Sequence, residues 1–445
     1  MENRALYAGF ASVKVTPPMG NHIPGYYHKR YSDGFLTELY LRATAFSDGE
    51  NKAVIFACDA IGMKASYFDI LKKKIAQRCD MSEDAIYITC THSHTSYRIT
   101  VPAEASEDDN DIFLKRLYQQ FCDCAQFAFE DLKPCTLKIA TGFAQKVGFI
   151  RRYRMKDGSC KTNPGIGNPD VVAPDAVQDE SVQLVRVIRE GGKEILLVNF
   201  GTHADVIGGN KYCADWPGYL VEDLVGAFNG EVEAMTLVGC EGDSNHINVF
   251  RPKGSINKGV SVAQRMARIL AGEVLKIYDD AKEVDGSKIA FGYKIVQVGK
   301  NPYDPADIPE ALEVREIYRK TGVQNPPELK EGGYKLNIPE AMRILANLER
   351  PEFFQLRVSA LQLGNIAFIG FPGESFVSIG MDVKAGSKMD MTITTCLTNG
   401  SEGYFPDKAA FAEKGYERSA SPFAHDCAKL LSDAGLELVN AMEKL

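Results

Sequence analysis

The chain has 445 residues, 45% hydrophobic and 25% charged, the balance of a globular protein with ample material for a core. Its 51 basic and 59 acidic residues give a formal charge of −8, and no basic cluster is long enough for a nucleic-acid surface. No run of about twenty apolar residues is present to span a bilayer.

The N-terminus, Met1 to Tyr7, has no apolar core of signal-peptide length and soon meets Pro17-Pro18. The eleven cysteines are scattered and often lie inside apolar runs, the pattern of reduced thiols rather than a disulfide framework. Both features lead to the expectation of a cytoplasmic protein. Ala8 to Val15 reads as a first strand, followed by the polar, aromatic loop Asn21 to His28. Leu39 to Ser47 and Ala53 to Ala57 read as a strand pair across Asp48-Gly49-Glu50-Asn51. Phe68, Leu71, Ile75 and Ala76 recur at helical spacing within Tyr67 to Arg78. The apolar run Ala85 to Cys90 then predicts a buried strand that empties into Thr91-His92-Ser93-His94-Thr95-Ser96.

Ile112 to Leu132 is a second amphipathic segment. Gly148 to Arg154 carries Arg151, Arg152 and Arg154 and opens a long Gly/Pro/Asn loop reaching Asp175. Val182 to Ile188 and Glu194 to Phe200 predict a hairpin whose second strand ends in Gly201-Thr202-His203. A helix from Trp216 to Phe228 precedes the strand Ala234 to Val238, which discharges Gly239-Cys240-Glu241-Gly242-Asp243-Ser244-Asn245-His246. Val262 to Tyr278 reads as a helix and Lys288 to Val298 as a strand. Residues 301–350 are charged and proline-punctuated, which predicts a helical insertion or cap on a single domain spanning 1–445. Phe354 to Leu363 and Ile366 to Phe371 make a strand pair ending in Pro372-Gly373-Glu374. Met391 to Leu397 is the last strand and releases Thr398 to Tyr404, before a C-terminal helix from about Pro422 to Lys444. Strands alternating with helices, with hairpins among them, predict an α/β fold with a mixed sheet core flanked by helices.

Polar residues cluster at strand exits: His92, His94, His203, His246, Glu374 and Tyr404. Open α/β sheets place their sites at such ends. Two histidines and a carboxylate are a common ligand set for a catalytic zinc, which lowers the pKa of bound water towards ~7 and polarises a carbonyl. Each residue also has an ordinary reading: a satisfied core histidine, a helix-cap neighbour, a turn aromatic. Their shared position at strand ends favours the site.

Several ordered motifs resemble the catalytic domain of the neutral ceramidase family, the non-lysosomal zinc amidases of N-acyl-sphingosine. Val13-Lys14-Val15-Thr16-Pro17-Pro18 with Gly25-Tyr26 is similar to the family's N-terminal signature, and Thr91 to Ser96 to its Thr-His-Thr-His-Ser motif. Asn199 to His203 resembles its second histidine segment, with Asp215-Trp216-Pro217-Gly218-Tyr219 after it as in bacterial relatives. Pro372-Gly373-Glu374 resembles the glutamate motif, and Asn399 to Tyr404 the tyrosine motif, with Tyr416 and Glu417 beyond it. Carried over, the resemblance implies one zinc ion per chain on His92, His203, Glu374 and Tyr404, with His94, Arg151 and Tyr416 on the substrate side. Arg152, adjacent, is the alternative to Arg151.

The resemblance has gaps. Where the family carries a serine in a Gly-Asn/Asp-x-Ser-Pro-Asn loop, this chain reads Gly242-Asp243-Ser244-Asn245-His246, which puts Asn245 at that serine. Attack by zinc-activated water is therefore favoured over a serine nucleophile, with Ser244 as an oxyanion donor and His246 as a polar wall. On this reading neither the family's secretion signal nor its C-terminal immunoglobulin-like domain is expected. Ile23, Tyr26, Tyr27, Tyr31, Phe35 and Tyr153 suggest a small aromatic-polar pocket. The expectation is a zinc-dependent hydrolase of a small, soluble amide, with ester or lactone bonds close behind. The alternatives are a ceramide-type lipid amidase and a catalytically silent metal- or carbohydrate-binding protein. Its partner is then a small-molecule substrate, with a homo-oligomer left open.

Overall fold

In the computed structural model, residues 5–102, 108–413 and 415–444 are described. The first four residues, part of the N-terminal segment read above for a signal peptide, lie outside them. The apolar runs build two β-sheets, not one. The first takes β1 (Leu6–Lys14), β2 (Tyr40–Ser47), β3 (Lys52–Cys58), β4 (Ile86–Cys90), β5 (Lys133–Phe143), β6 (Ser181–Arg189), β7 (Glu194–Phe200), β8 (Val232–Val238) and the short β9 (Lys282–Val284). Its spatial order is β8-β7-β6-β5-β1-β2-β3-β4, with β9 beside β5. The middle is antiparallel, whereas the end pairs β3–β4 and β7–β8 are parallel. The second sheet runs β10 (Ile289–Gly299), β11 (Phe353–Leu363), β12 (Ile366–Gly370) and β13 (Met391–Thr395), with β12–β13 parallel.

Both faces of the first sheet are covered, which is why its strands read as continuous hydrophobic runs. On β3, Val54, Phe56 and Cys58 pack under the helices α1 (Ala65–Cys79) and α2 (Asp109–Glu130), while Ala53, Ile55 and Ala57 pack towards the second sheet. Successive side chains of a strand alternate faces, so one run serves two cores. Helices α3 (Asp215–Ala227) and α4 (Val260–Tyr278) extend the outer layer over β5 to β8. Gly9 lets α2 come down on the sheet: a Cβ there would sit 2.0 Å from the Ala128 carbonyl oxygen. Helices α7 (Val377–Gly386) and α8 (Cys427–Asn440), numbered after the two cap helices below, cover the other side of the second sheet. The layers are therefore helix, sheet, sheet, helix, a mixed-sheet core flanked by helices.

The segment after β13 locks the ends of the first sheet together. Cys396 N–H donates to Val238 O of β8 at 3.2 Å, and Cys90 N–H of β4 donates to Leu397 O at 3.3 Å. Asn399 then clamps β4: its Oδ1 accepts from Ile88 N–H at 2.8 Å and its Nδ2 donates to Ile86 O at 3.2 Å and to the Ser359 hydroxyl of β11 at 2.9 Å. Asn399 holds a left-handed φ of 56°, which asparagine tolerates better than most residues.

Within 301–350 lie α5 (Ile308–Thr321), a short helix (Pro327–Glu331) and α6 (Ile338–Asn347), close to the segments expected. They bury their own small cluster of Ala311, Val314, Leu336, Ile338, Ala341 and Ile344. Tyr27 of the N-terminal loop packs against this cluster, edge-on to Tyr318 with ring centroids 6.0 Å apart. Two elements depart from the sequence reading. β5 was not expected, because Pro134 and a half-exposed Lys/Thr/Ala sequence hide its alternation. The stretch from Gly148 to Asp175, read as a loop, contains a three-stranded sheet of Arg152–Met155, Cys160–Thr162 and Val171–Pro174. All eleven cysteines are free, and no helix among the described residues is long and apolar enough to cross a membrane.

Asn399→Ala strips the acceptor from a buried β4 amide and puts alanine in a left-handed conformation. A loss of about 2–4 kcal/mol follows, to be read as a lower urea midpoint.

Candidate metal centre and active site

His92 leaves β4 with a left-handed φ of 60°, unusual for a residue with a Cβ. Backbone bonds hold it there: its N–H donates to Ala60 O at 3.0 Å, and the preceding Thr91 N–H to Cys58 O at 2.9 Å. The turn aims the imidazole inward, where its Nδ1 lies 2.6 Å from Ile61 O. His203, beyond β7, places its Nδ1 2.9 Å from Glu241 O and 3.1 Å from Ser244 O. Backbone carbonyls only accept, so both Nδ1 atoms carry the proton and both Nε2 atoms present lone pairs.

Those lone pairs converge on one carboxylate oxygen. Glu374 Oε2 lies 3.4 Å from His92 Nε2 and 3.2 Å from His203 Nε2. Glu374 begins a two-residue parallel ladder with Tyr404–Phe405, so Glu374 and Tyr404 are paired neighbours. Gly373 and Gly242 permit this approach: a Cβ on Gly373 would sit 2.4 Å from Gly403 O, and one on Gly242 2.4 Å from Glu374 O. The Tyr404 ring stacks parallel to His203 at 6.5 Å between centroids, and Tyr416 lies edge-on to Tyr404 at 5.6 Å.

Three atoms that all attract protons cannot share one buried site without a cation or protons between them. A single proton satisfies only one of the two imidazoles. Ligand atoms held at ~2.1 Å around a tetrahedral zinc ion lie about 3.4 Å apart, close to the 3.4 and 3.2 Å that separate the two Nε2 atoms from Glu374 Oε2. The donor set therefore fits zinc. Without a cation, burial disfavours charge on His92 but Glu374 and Glu241 outweigh it, raising the imidazole to about 9. Burial likewise resists ionisation of Glu374, and the two imidazoles overcome it to hold the carboxyl well below its usual range.

Arg151 faces the same group. Its Nε donates to Glu417 Oε1 at 2.9 Å and its Nη2 to Gly242 O at 2.7 Å, which leaves Nη1 3.5 Å from His203 Nε2. Its guanidinium lies 5.3 Å from the Tyr404 ring centre and 5.8 Å from that of Tyr416. Arg152 points away, to Glu417, Asp175 and Glu413, whereas Arg151 lines the cavity. Burial pushes the Tyr416 hydroxyl up to about 12, with the nearby Glu374 charge adding to it. The hydroxyl thus stays a donor at neutral pH.

His94 lies beside these residues, its ring 4.9 Å from His92 and 5.8 Å from His203, and neither ring nitrogen has a hydrogen-bond partner. Nitrogens of His92, His94 and His203 fall within 4.8 Å of one another, so His94 stands as a third imidazole beside the pair, and it also lines the cavity above. Burial lowers it to about 3, against the pull of Asp205 with Oδ1 4.0 Å from its Nδ1.

Ser244 is not brought to this group. Its hydroxyl donates to Gln178 Oε1 at 2.6 Å and lies 3.2 Å from Thr202 Oγ1, so the expected oxyanion donor is committed to the wall; only its carbonyl serves the site, through His203. His246 is buried near Asp205 and lines a neighbouring hollow with Lys146 and Asn257. The expected aromatic pocket is also corrected. A cavity of about 660 Å³ opens over the site, and of the six proposed walls only Tyr26 and Tyr27 line it. Ile23 and Tyr153 are buried elsewhere, and Tyr31 and Phe35 face solvent.

The sequence reading assigned no role to Glu241. It is fully buried with the Cys396 thiol as a hydrogen-bond partner, and burial raises its carboxyl above the usual range against the pull of His203 and His92. A glutamate in an apolar strand exit next to Gly-Asp was the available signal.

No family model matches the chain, and no curated protein sequence does. Among solved structures it is similar to the neutral ceramidase from Pseudomonas aeruginosa, with a TM-score of 0.71 and 12% identity, over 100% of this chain and 76% of that one. It is similar also to a ceramidase complexed with C2, with a TM-score of 0.70 and 12% identity, over 99% of this chain and 77% of that one. At this identity the likeness shows a shared fold.

Metal analysis of purified protein checks the donor set. About one zinc per chain is expected, lost in His92→Ala and Glu374→Ala. His94→Ala is expected to keep it, and loss there makes His94 a ligand. Glu241→Gln is expected to weaken zinc in chelator competition by about tenfold or more.

Proposed function

We propose that the chain is a zinc-dependent hydrolase of the neutral ceramidase superfamily that cleaves an amide bond of a small substrate, with esters and lactones as related bonds. The observation that carries this reading is the approach of two Nε2 lone pairs to one Glu374 oxygen, at 3.2 and 3.4 Å, beneath an open cavity. His92, His203, Glu374 and Tyr404 are the proposed ligands. Zinc bound there supplies Lewis acidity to a carbonyl and a water of lowered pKa. Burial raises the Glu241 carboxyl above its usual range, and a divalent ion beside it favours the ionised form, which with Glu374 makes the group neutral overall. Burying charge costs several kcal/mol unless it is compensated, and this pairing compensates both partners.

The chain's own groups then divide the work. Arg151, fixed by Glu417 and Gly242, and the Tyr416 hydroxyl face the place where a carbonyl oxygen gains negative charge. In amide hydrolysis a water oxygen bonds to the carbonyl carbon, the C–N bond breaks, and the leaving nitrogen takes a proton. His94, beside Asp205, is positioned to pass that proton. The likeness in fold to ceramidases supports the amidase reading, and the bond type rests on it.

The lipid-amidase alternative is disfavoured by the cavity, which among the described residues no leucine, isoleucine, valine, methionine or phenylalanine lines. A long acyl chain needs such a surface to leave water. Screening amides, esters and lactones of graded acyl length with zinc-loaded protein decides between the readings. Turnover of short-chain amides supports the proposal; preference for long chains restores the lipid amidase, and inertness of zinc-loaded protein to all favours a binding protein. Tyr416→Phe is expected to lower kcat about 10²- to 10³-fold with zinc content retained.

A further inference from the structure

The cavity walls above the proposed metal centre come from two segments that the hydrolase reading does not use. One is the small sheet and turn at 160–164, and the other is the helical insertion, which contributes 324–325, Asn337 and Pro339. The insertion is held over the site by Tyr27, which packs into its core while lining the cavity. Small-molecule pockets of ~300–1,000 Å³ are ordinarily lined mainly by apolar side chains with a few polar anchors. This one departs from that rule. Its lining holds four carboxamides (Asn163, Gln324, Asn325, Asn337), and its largest apolar surfaces are the rings of tyrosines and prolines.

Two of those carboxamides are committed to the fold. Asn163 Oδ1 accepts from Asn245 at 2.9 Å, and Asn337 accepts from Glu340 N–H and donates to Ser419. No hydrogen bond engages the side chains of Gln324 and Asn325 among the described residues. The charged lining groups, by contrast, have partners: Arg151 is bonded to Glu417, Asp205 to Tyr26 with Lys258 3.8 Å away, and the exposed Lys161 lies 3.8 Å from Asp157. A substrate bearing a carboxylate or ammonium therefore competes with an existing partner at each of these groups. A carboxamide both donates and accepts, as does a hydroxyl, so the free groups match an uncharged body rich in hydroxyls.

We propose that the substrate of this site is an amide borne on a compact, uncharged, polyhydroxylated body, of the N-acylated amino-sugar type, whose hydroxyls are bonded by Gln324 and Asn325 of the insertion. The inference rests on the hydrolase reading. The reaction is amide plus water giving carboxylic acid and free amine, with no further reactant. The insertion is then a specificity arm, and Gln324 and Asn325 determine which amides the centre beneath them cleaves.

The test uses the zinc-loaded full chain and four probes: N-acetylglucosamine, N-acetylalanine, N-octanoylethanolamine and p-nitrophenyl acetate. The expected result is a kcat/KM for N-acetylglucosamine at least tenfold above that for the charged and the fatty amide. The double variant Gln324→Ala, Asn325→Ala is expected to raise its KM about tenfold with a much smaller change in kcat. Cleavage of p-nitrophenyl acetate without preference for the sugar amide overturns this inference and leaves the hydrolase standing. A KM unmoved by the double variant overturns the role given to the arm. Inertness towards all four probes removes the hydrolase reading, and this inference with it.

Discussion

The arrangement depends on the closure that residues 396–399 impose on the first sheet. β4 and β8 are its opposite ends, seven positions apart in the strand order. In an open sheet, neighbouring strands are ~4.8 Å apart, so His92 and the loop after β8 would be separated by tens of ångströms. Hydrogen bonds from Cys396 N–H to Val238 O of β8 and from Cys90 N–H of β4 to Leu397 O draw the ends onto one connecting segment. His92 and His203 thereby come within 5.0 Å, ring to ring. The same connection carries Tyr404 back to Glu374. Closure and site are one feature: the segment that fills the gap between the sheet ends is the one that completes the donor set.

That closure has an electrostatic consequence. The space between the sheet ends is deep, and it holds two carboxylates, three imidazoles and a guanidinium with almost no exposure to water. Arg151 is neutralised by Glu417; with no metal ion, a protonated His92 offsets Glu374, and burial pushes the Glu241 carboxyl towards its neutral form. Both carboxylates therefore depend on a positive charge close by to stay ionised in this space. The left-handed backbone at His92 belongs to the same account, since strained conformations persist where surrounding structure over-determines them.

The strands that carry the site were legible in the sequence because both their faces are buried. Runs such as Val54 to Cys58 and Leu196 to Phe200 need no partner information to be recognised, and the polar residues that end them stand out by contrast. His92, His203, Glu374, Tyr404, Arg151 and Tyr416 were picked by that contrast and by resemblance, and the fold places all six together. Ser244 was misread because a hydroxyl in a polar loop gives no hint of its direction; Gln178, 66 residues earlier, claims it. β5 was missed because it is half exposed, and half-exposed strands with lysine and proline lose their period. Two sheets were read as one because strand order depends on contacts far apart in sequence.

The pocket walls were the least legible part, and the reason is physical. A ligand atom set by a strand end inherits the rigidity of the sheet, whereas a wall set by an insertion depends on where that insertion docks. Tyr26 and Tyr27 were recognised, but Tyr31 and Phe35, from the same loop, turn outward because the loop bends back at Arg30, whose guanidinium bonds Pro24 O and His94 O. The bend leaves Tyr27 to meet the insertion and Tyr26 to meet Asp205. The histidines and Glu374 are thus held by the sheets, whereas part of the cavity wall comes from a separately cored helical piece resting on one tyrosine. Such a division lets the walls vary without disturbing the strand ends beneath them.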